Sequence, residues 1–140
     1  MERQDLRKAG LKITLPRLKV LEILEHSKQR HLSAEDVYKA LLEMGEEIGL
    51  ATVYRVLTQF EGAGLVSRLN IDGGHAVFEL EDGEHHDHLF CVKCNRIIEF
   101  YDEVIEERQK AIAKANGFEM TDHSLYIYGI CNREDCNKDR

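Results

Sequence analysis

The sequence predicts an α+β chain in two parts: a helical domain with a two-stranded wing at residues 1 to 80, a hinge at 81 to 84, and a small α/β domain at 85 to 140. Three observations carry this division. Apolar residues recur at helical spacing in successive stretches before residue 62. Two alternating runs, Val66 to Ile71 and His75 to Leu80, then flank Asp72-Gly73-Gly74, which has hairpin-turn composition. Beyond Leu80 the chain turns to acidic residues and metal-ligand types.

Residues 2 to 9 read as a short polar helix ending at Gly10. Thr14 is suited to cap a second helix over about 15 to 27, because Pro16 fits the first turn and Leu18, Leu21 and Leu24 form an apolar stripe. A third helix begins after Ser33. Ser33 and Asp36 have capping-box spacing, Leu32 and Val37 are placed as a staple, and Val37, Leu41 and Met44 continue a buried face to about Gly45.

The helix predicted over 51 to 61 turns Val53, Val56, Leu57 and Phe60 to one side and leaves Thr52, Tyr54, Arg55 and Gln59 on the other. Arginine pairs bidentately with guanine or grips phosphate, and Tyr, Thr and Gln add hydrogen bonds and contact with thymine methyls. An ordinary solvated helix face has the same pattern. Context separates the two, since three helices followed by a two-stranded wing describe a winged-helix, DNA-binding domain whose third core helix enters the major groove.

Charge agrees once it is divided along the chain. The net charge of -7 splits into +4 over residues 1 to 30, -5 over 31 to 80 and -6 over 81 to 140. A polyanion can be gripped at the basic N-terminus while the acidic remainder repels it or holds cations. Without an apolar span or a signal-peptide core, the 140-residue chain reads as soluble and cytoplasmic, with no membrane partner. In a reducing compartment its four cysteines read as metal ligands or redox thiols.

In the second part, strands are predicted at 86 to 92 and 96 to 101, a helix capped by Asp102 at 103 to 116, and a strand through 124 to 130. Such a sheet is too small to stand alone. Its apolar residues, including Ile97, Phe100, Leu125, Ile127 and Ile130, point to pairing with a second copy, and hence to a dimerisation domain.

The densest chemistry lies in His85-His86-Asp87-His88-Leu89-Phe90-Cys91-Val92-Lys93-Cys94. In an extended segment His86 and His88 face one way and His85 and Asp87 the other, so one strand can serve two metal centres. Cys91 and Cys94 need a second pair to close a tetrahedron, and Cys131 and Cys136 are the candidates for a structural Zn²⁺.

With these features in place, the chain resembles the ferric uptake regulator family of metal-dependent repressors. The resemblance is carried by Ala9 to Arg17, by Leu50-Ala51-Thr52-Val53-Tyr54-Arg55-Val56-Leu57, by Gly73-Gly74-His75, by His85-His86-Asp87-His88 and by Cys91-x-x-Cys94. It spans nearly the whole chain. It implies a sensing site between the two domains, a homodimer whose assembly beyond two copies is left open, Lys12 in the minor groove, and Tyr54 and Arg55 reading the major groove of an A/T-rich inverted-repeat operator.

The expected regulatory set is His31, Glu79, His86, His88 and Glu99, with Fe²⁺ as corepressor and Mn²⁺ or Zn²⁺ as surrogates. His85, Asp87, Glu106 and His123 form an expected accessory cluster. Zinc-sensing relatives usually have a cysteine in the regulatory site, and peroxide-sensing ones an Asp at the position of Glu99; neither departure occurs here, which favours iron over a manganese, zinc or peroxide signal. Taken singly, His31 reads as a surface residue, Glu79 as a solvated wing residue, Glu99 as a cross-strand charge partner, and Glu106 as a helix-dipole partner. A zinc hydrolase is the rival from another class, but no His-Glu-x-x-His motif is present. A thiol redox protein would place Cys91-x-x-Cys94 at a helix start, whereas it falls here between predicted strands. The expected protein is therefore a repressor of iron-uptake genes and not an enzyme.

Overall fold

The computed structural model describes residues 2–71, 75–81, 85–134 and 136. The chain divides into two compact units, Met1–Gly83 and Glu84–Arg140. The expected turn at Asp72-Gly73-Gly74 and most of the expected hinge, Asp82 to Glu84, lie outside the described residues.

In the first unit, α1 (Glu2–Lys8), α2 (Leu15–His26), α3 (Ala34–Glu43) and α4 (Leu50–Gly62) precede strands β1 (Val66–Ile71) and β2 (His75–Leu80). The starts of α2 and α3 follow from local chemistry. Thr14 accepts a hydrogen bond from the Arg17 N–H and Pro16 occupies the first turn of α2. Ser33 and Asp36 form the full capping box of α3. Leu21, Leu24, Val37, Leu41, Val53, Val56, Leu57, Phe60, Val66 and Phe78 share one core. Met44, expected on its buried face, is instead 45% exposed, because α3 stops at Glu43 and Met44 is its cap.

After α4, Gly64 adopts φ +80°, a left-handed turn that reverses the chain into β1 without a side-chain clash. β1 and β2 are antiparallel from Val66↔Leu80 to Ile71↔His75, the wing the alternation predicts. One pairing has no sequence signal. Leu32 bridges Phe78, its N–H donating to the Phe78 carbonyl at 3.0 Å and its carbonyl accepting from the Phe78 N–H at 2.7 Å. Pairing is antiparallel, so His31 falls beside Glu79.

The second unit contains β3 (Asp87–Cys91), β4 (Ile97–Phe100), α5 (Glu103–Ala115) and β5 (Tyr126–Gly129), with sheet order β4-β3-β5. β3 is antiparallel to β4 and parallel to β5. Asp102 caps α5, accepting from the Val104 and Ile105 N–H groups. Leu89, Ile98, Ile127 and Ile130 remain exposed, so the sheet carries apolar surface that its own chain does not cover. Among the described residues, no helix is long and apolar enough to cross a membrane.

Candidate metal centres and nucleic-acid interface

The outer surface of α4 follows from its periodicity. Val53, Val56, Leu57 and Phe60 are buried, while Tyr54 and Arg55 are exposed and Thr52 is half-buried. The N-cap is Gly49, which offers no side-chain oxygen to the first N–H groups of the helix. Arg68 on β1 lies 5.9 Å from the Tyr54 ring centroid and 5.1 Å from that of Phe78. It also donates to Glu61 Oε1 at 3.2 Å and Thr58 Oγ1 at 3.3 Å. The wing strand thus supports the ring of Tyr54.

Gln59 is less open than its periodicity suggests, because its Oε1 accepts from Arg17 Nε at 3.2 Å and Nη2 at 3.1 Å. Lys12 is exposed in the segment between α1 and α2, and its carbonyl accepts from Arg17 Nη1 at 2.8 Å. Sequence reasoning missed both arginines as organising residues; Arg17 stood within a quoted motif, whereas Arg68 had no signal beyond its charge.

The four cysteines meet at one end of the sheet. β3 ends at Cys91, the turn through Asn95 returns Cys94, and the parallel β5 delivers Cys131 and the following tail Cys136. Asn95 has φ 63°, a left-handed conformation that asparagine tolerates, and its N–H donates to the Cys91 carbonyl at 2.9 Å. Cys91 and Cys136 sulfurs are 3.4 Å apart, Cys94 and Cys131 sulfurs 3.6 Å apart, and all four thiols are free.

Electrostatically the four sulfurs are unequal. Hydrogen bonds from the Cys131 backbone first, then from those of Cys94 and Lys93, lower Cys91 to about 5. Cys136 is pushed up to about 12 by the neighbouring Cys131 thiol, then by burial and the other cysteines. For Cys94 the Arg96 backbone N–H favours the thiolate, but burial together with Cys91 and Cys131 outweighs it and raises the thiol. One thiolate is welcome here and four are not without a cation among them. Tetrahedral Zn–S bonds of about 2.3 Å put sulfurs about 3.8 Å apart, so this donor set fits a closed zinc site with slight expansion.

His85, Asp87, Glu106 and His123 form a second group, with one ligand atom of each within 4.8 Å of the others. His85 Nε2 lies 3.2 Å from Asp87 Oδ1 and 3.1 Å from Glu106 Oε1, and His123 Nε2 lies 3.1 Å from the same Glu106 oxygen. Asp87 and Glu106 are buried, and Asp87 Oδ2 has no hydrogen-bond partner among the described residues. Two buried carboxylates with such an oxygen fit a cation. The dipole of α5 alone does not account for Glu106, whose side chain turns inward onto both imidazoles.

The expected regulatory residues fall into two sets, one in each unit. In the first unit the Leu32–Phe78 bridge sets His31 Nε2 3.0 Å from Glu79 Oε2, with Glu79 buried. Arg30 Nε, which no sequence signal singled out, reaches the same oxygen at 3.2 Å. In the second unit His86 Nε2 lies 3.5 Å from Glu99 Oε1, and the His86 and His88 rings are 4.8 Å apart. His88 is buried and pairs across the strands with Glu99. The expected alternation holds: His86 and His88 meet each other, while His85 meets Asp87. Nitrogen and oxygen donors without sulfur suit ferrous iron and its divalent neighbours.

Comparison with known proteins agrees. Residues 8–128 match the ferric uptake regulator family. The ferric uptake regulation protein of Legionella pneumophila is 73% identical over 130 residues, which is 93% of this chain and 96% of that protein. The solved ferric uptake regulator of Pseudomonas aeruginosa, with manganese, is 60% identical, covers 95% of this chain and 99% of its own, and has a TM-score of 0.82. That of Francisella tularensis, with iron, is 50% identical, covers 88% of this chain and 93% of its own, and has a TM-score of 0.83. A match of this extent, at these identities, means that the chain belongs to the ferric uptake regulator family and is an iron-responsive repressor.

Proposed function

We propose that the protein represses iron-uptake genes as a homodimer that binds an A/T-rich inverted repeat when Fe²⁺ is present. The carrying observation is the division of α4, which buries Val53, Val56, Leu57 and Phe60 and leaves Tyr54 and Arg55 exposed. Tyr54 and Arg55, with Thr52 and Gln59, read the major groove, and Lys12 enters the minor groove. Two copies related by a two-fold axis read the two half-sites. The exposed apolar face around Leu89, Ile98 and Ile127 supports self-association, since a three-stranded sheet of this size needs further burial.

Cys91, Cys94, Cys131 and Cys136 hold a structural Zn²⁺ that ties β3 to the C-terminal segment. His31, Glu79, His86, His88 and Glu99 hold the regulatory Fe²⁺, and His85, Asp87, Glu106 and His123 serve an accessory site. A divalent cation supplies the positive charge that the clustered carboxylates require. Metal bound by the regulatory set favours one arrangement of the dimer, and DNA selects that arrangement; operator and metal then tighten each other's binding by one factor. Manganese, which the Pseudomonas relative contains, serves as a surrogate for iron.

DNA binding measured anaerobically against each divalent metal in turn tests the proposal. Specific binding should appear with Fe²⁺ and Mn²⁺, at a protein-to-half-site ratio of one. Equal binding in the presence of a chelator that leaves the structural zinc in place would refute metal control.

A further inference from the structure

We propose that Arg17 is a positioning residue for operator reading, tying the segment that carries Lys12 to the helix that carries Tyr54 and Arg55. This rests on the two-groove reading above and adds what keeps the two contacts in step. Arg17 lies in the first turn of α2 and belongs to neither reading element. Its planar guanidinium has five donors in a fixed fork. Two of them, on Nε and Nη2, go to Gln59 Oε1, and one on Nη1 goes to the Lys12 carbonyl.

Gln59 is one helical turn beyond Arg55 on the outward side of α4. The other end of the bridge is a short irregular segment, in which Leu11 and Ile13 pack on the core while Lys12 and Thr14 point outward. That packing anchors the side chains on either side of the peptide plane that follows Lys12. The hydrogen bond from Arg17 fixes that plane and refers it to the side chain of Gln59. Without the fork, the Lys12 segment must be ordered at the moment of binding, and that ordering opposes affinity.

A direct grip on phosphate by the remaining Arg17 donors is the competing role, and charge separates the two. Lysine keeps the charge but, as a single ammonium, does not reproduce the fork. The experiment uses the full-length, Mn²⁺-loaded protein with an A/T-rich inverted-repeat duplex, and with the same duplex carrying G·C pairs beneath Lys12. Affinity is measured at several salt concentrations.

Arg17→Lys and Gln59→Leu should each weaken binding about ten-fold, the scale of a hydrogen bond to a charged group. Neither should change the salt slope, and each should reduce discrimination between the two duplexes. The double variant should be no weaker than either single one. Gln59→Leu also preserves side-chain bulk, so its thermal midpoint and zinc content should match the parent's. Wild-type affinity in Arg17→Lys would make Arg17 a phosphate contact, and additive losses in the double variant would give Arg17 and Gln59 independent roles; either overturns the proposal. If Lys12→Ala binds like the parent, the two-groove reading fails and the proposal with it.

Discussion

Leu32 and Phe78 exchange both backbone hydrogen bonds, and this one-residue bridge is what brings His31 to Glu79. Arg30 reaches the same Glu79 oxygen, so an arriving cation must compete with a guanidinium for it. Arg30→Gln should therefore tighten Mn²⁺ binding about three-fold, the scale of a partly exposed ion pair. Glu79→Gln should weaken it. Calorimetric titration of zinc-replete protein reads both, and unchanged Mn²⁺ affinity in Arg30→Gln would show that Arg30 yields its oxygen at no cost.

The two histidine clusters that meet at the start of β3 are separable by paired substitutions. Replacing His88 and Glu99 by Ala should abolish metal-dependent DNA binding, whereas replacing His85 and Asp87 should leave most of it. Asp87 is fully buried, so the second variant also needs a thermal unfolding check. The reverse pattern in a folded pair would mean that the sensing and accessory roles are exchanged.

Cys94→Ser should release the structural zinc and destabilise the dimer, read together by metal content and solution mass. The metal-free protein should also carry a pH signature. Cys91 is lowered from 9.0 to about 5, so its thiolate contributes stability that is full above pH 9.0 and is lost as pH falls toward 5. Cys136 is raised from 9.0 to about 12, so it opposes the folded state as pH rises from 9.0 toward 12. In reduced, chelator-treated protein, the difference in thermal midpoint between the parent and Cys91→Ala should widen from pH 5 to 9. A constant difference would contradict the Cys91 assignment.

On the reading helix, Arg55→Ala should weaken specific binding by about 1 to 3 kcal/mol if it makes a bidentate base contact. Tyr54→Ala should do likewise without changing the salt slope, since it carries no charge. Arg68 supports that ring, so Arg68→Ala should reproduce part of the Tyr54 loss. Titration of specific and scrambled duplexes at two salt concentrations checks all three variants. Parental affinity in both Tyr54→Ala and Arg55→Ala would remove α4 from the interface.

Features that repeat along the chain were legible in it. The helical period identified the buried side of α4 down to Phe60, and the two-residue period of residues 85 to 88 separated His86 and His88 from His85 and Asp87. Cysteine spacing pointed to four residues, Cys91, Cys94, Cys131 and Cys136, whose Sγ atoms the fold brings together. What was not legible lacks a period. The Leu32–Phe78 bridge is one residue long, and the Arg17–Gln59 contact joins side chains 42 positions apart. Met44 was misjudged because a helical pattern does not announce the residue at which the helix stops.

β3 is the central strand of its sheet, hydrogen-bonded to β4 on one edge and β5 on the other. Its register is pinned from both sides, and a shift by one residue would turn every side chain over. A single deletion within the strand would send His88 to the side now held by Asp87 and would withdraw Cys91 from the other sulfurs. All three donor groups are thus indexed to one ribbon. Side-chain replacement can retune any of them alone, but insertion and deletion act on all three at once, so within this strand the metal chemistry can diversify by substitution and not by change of length.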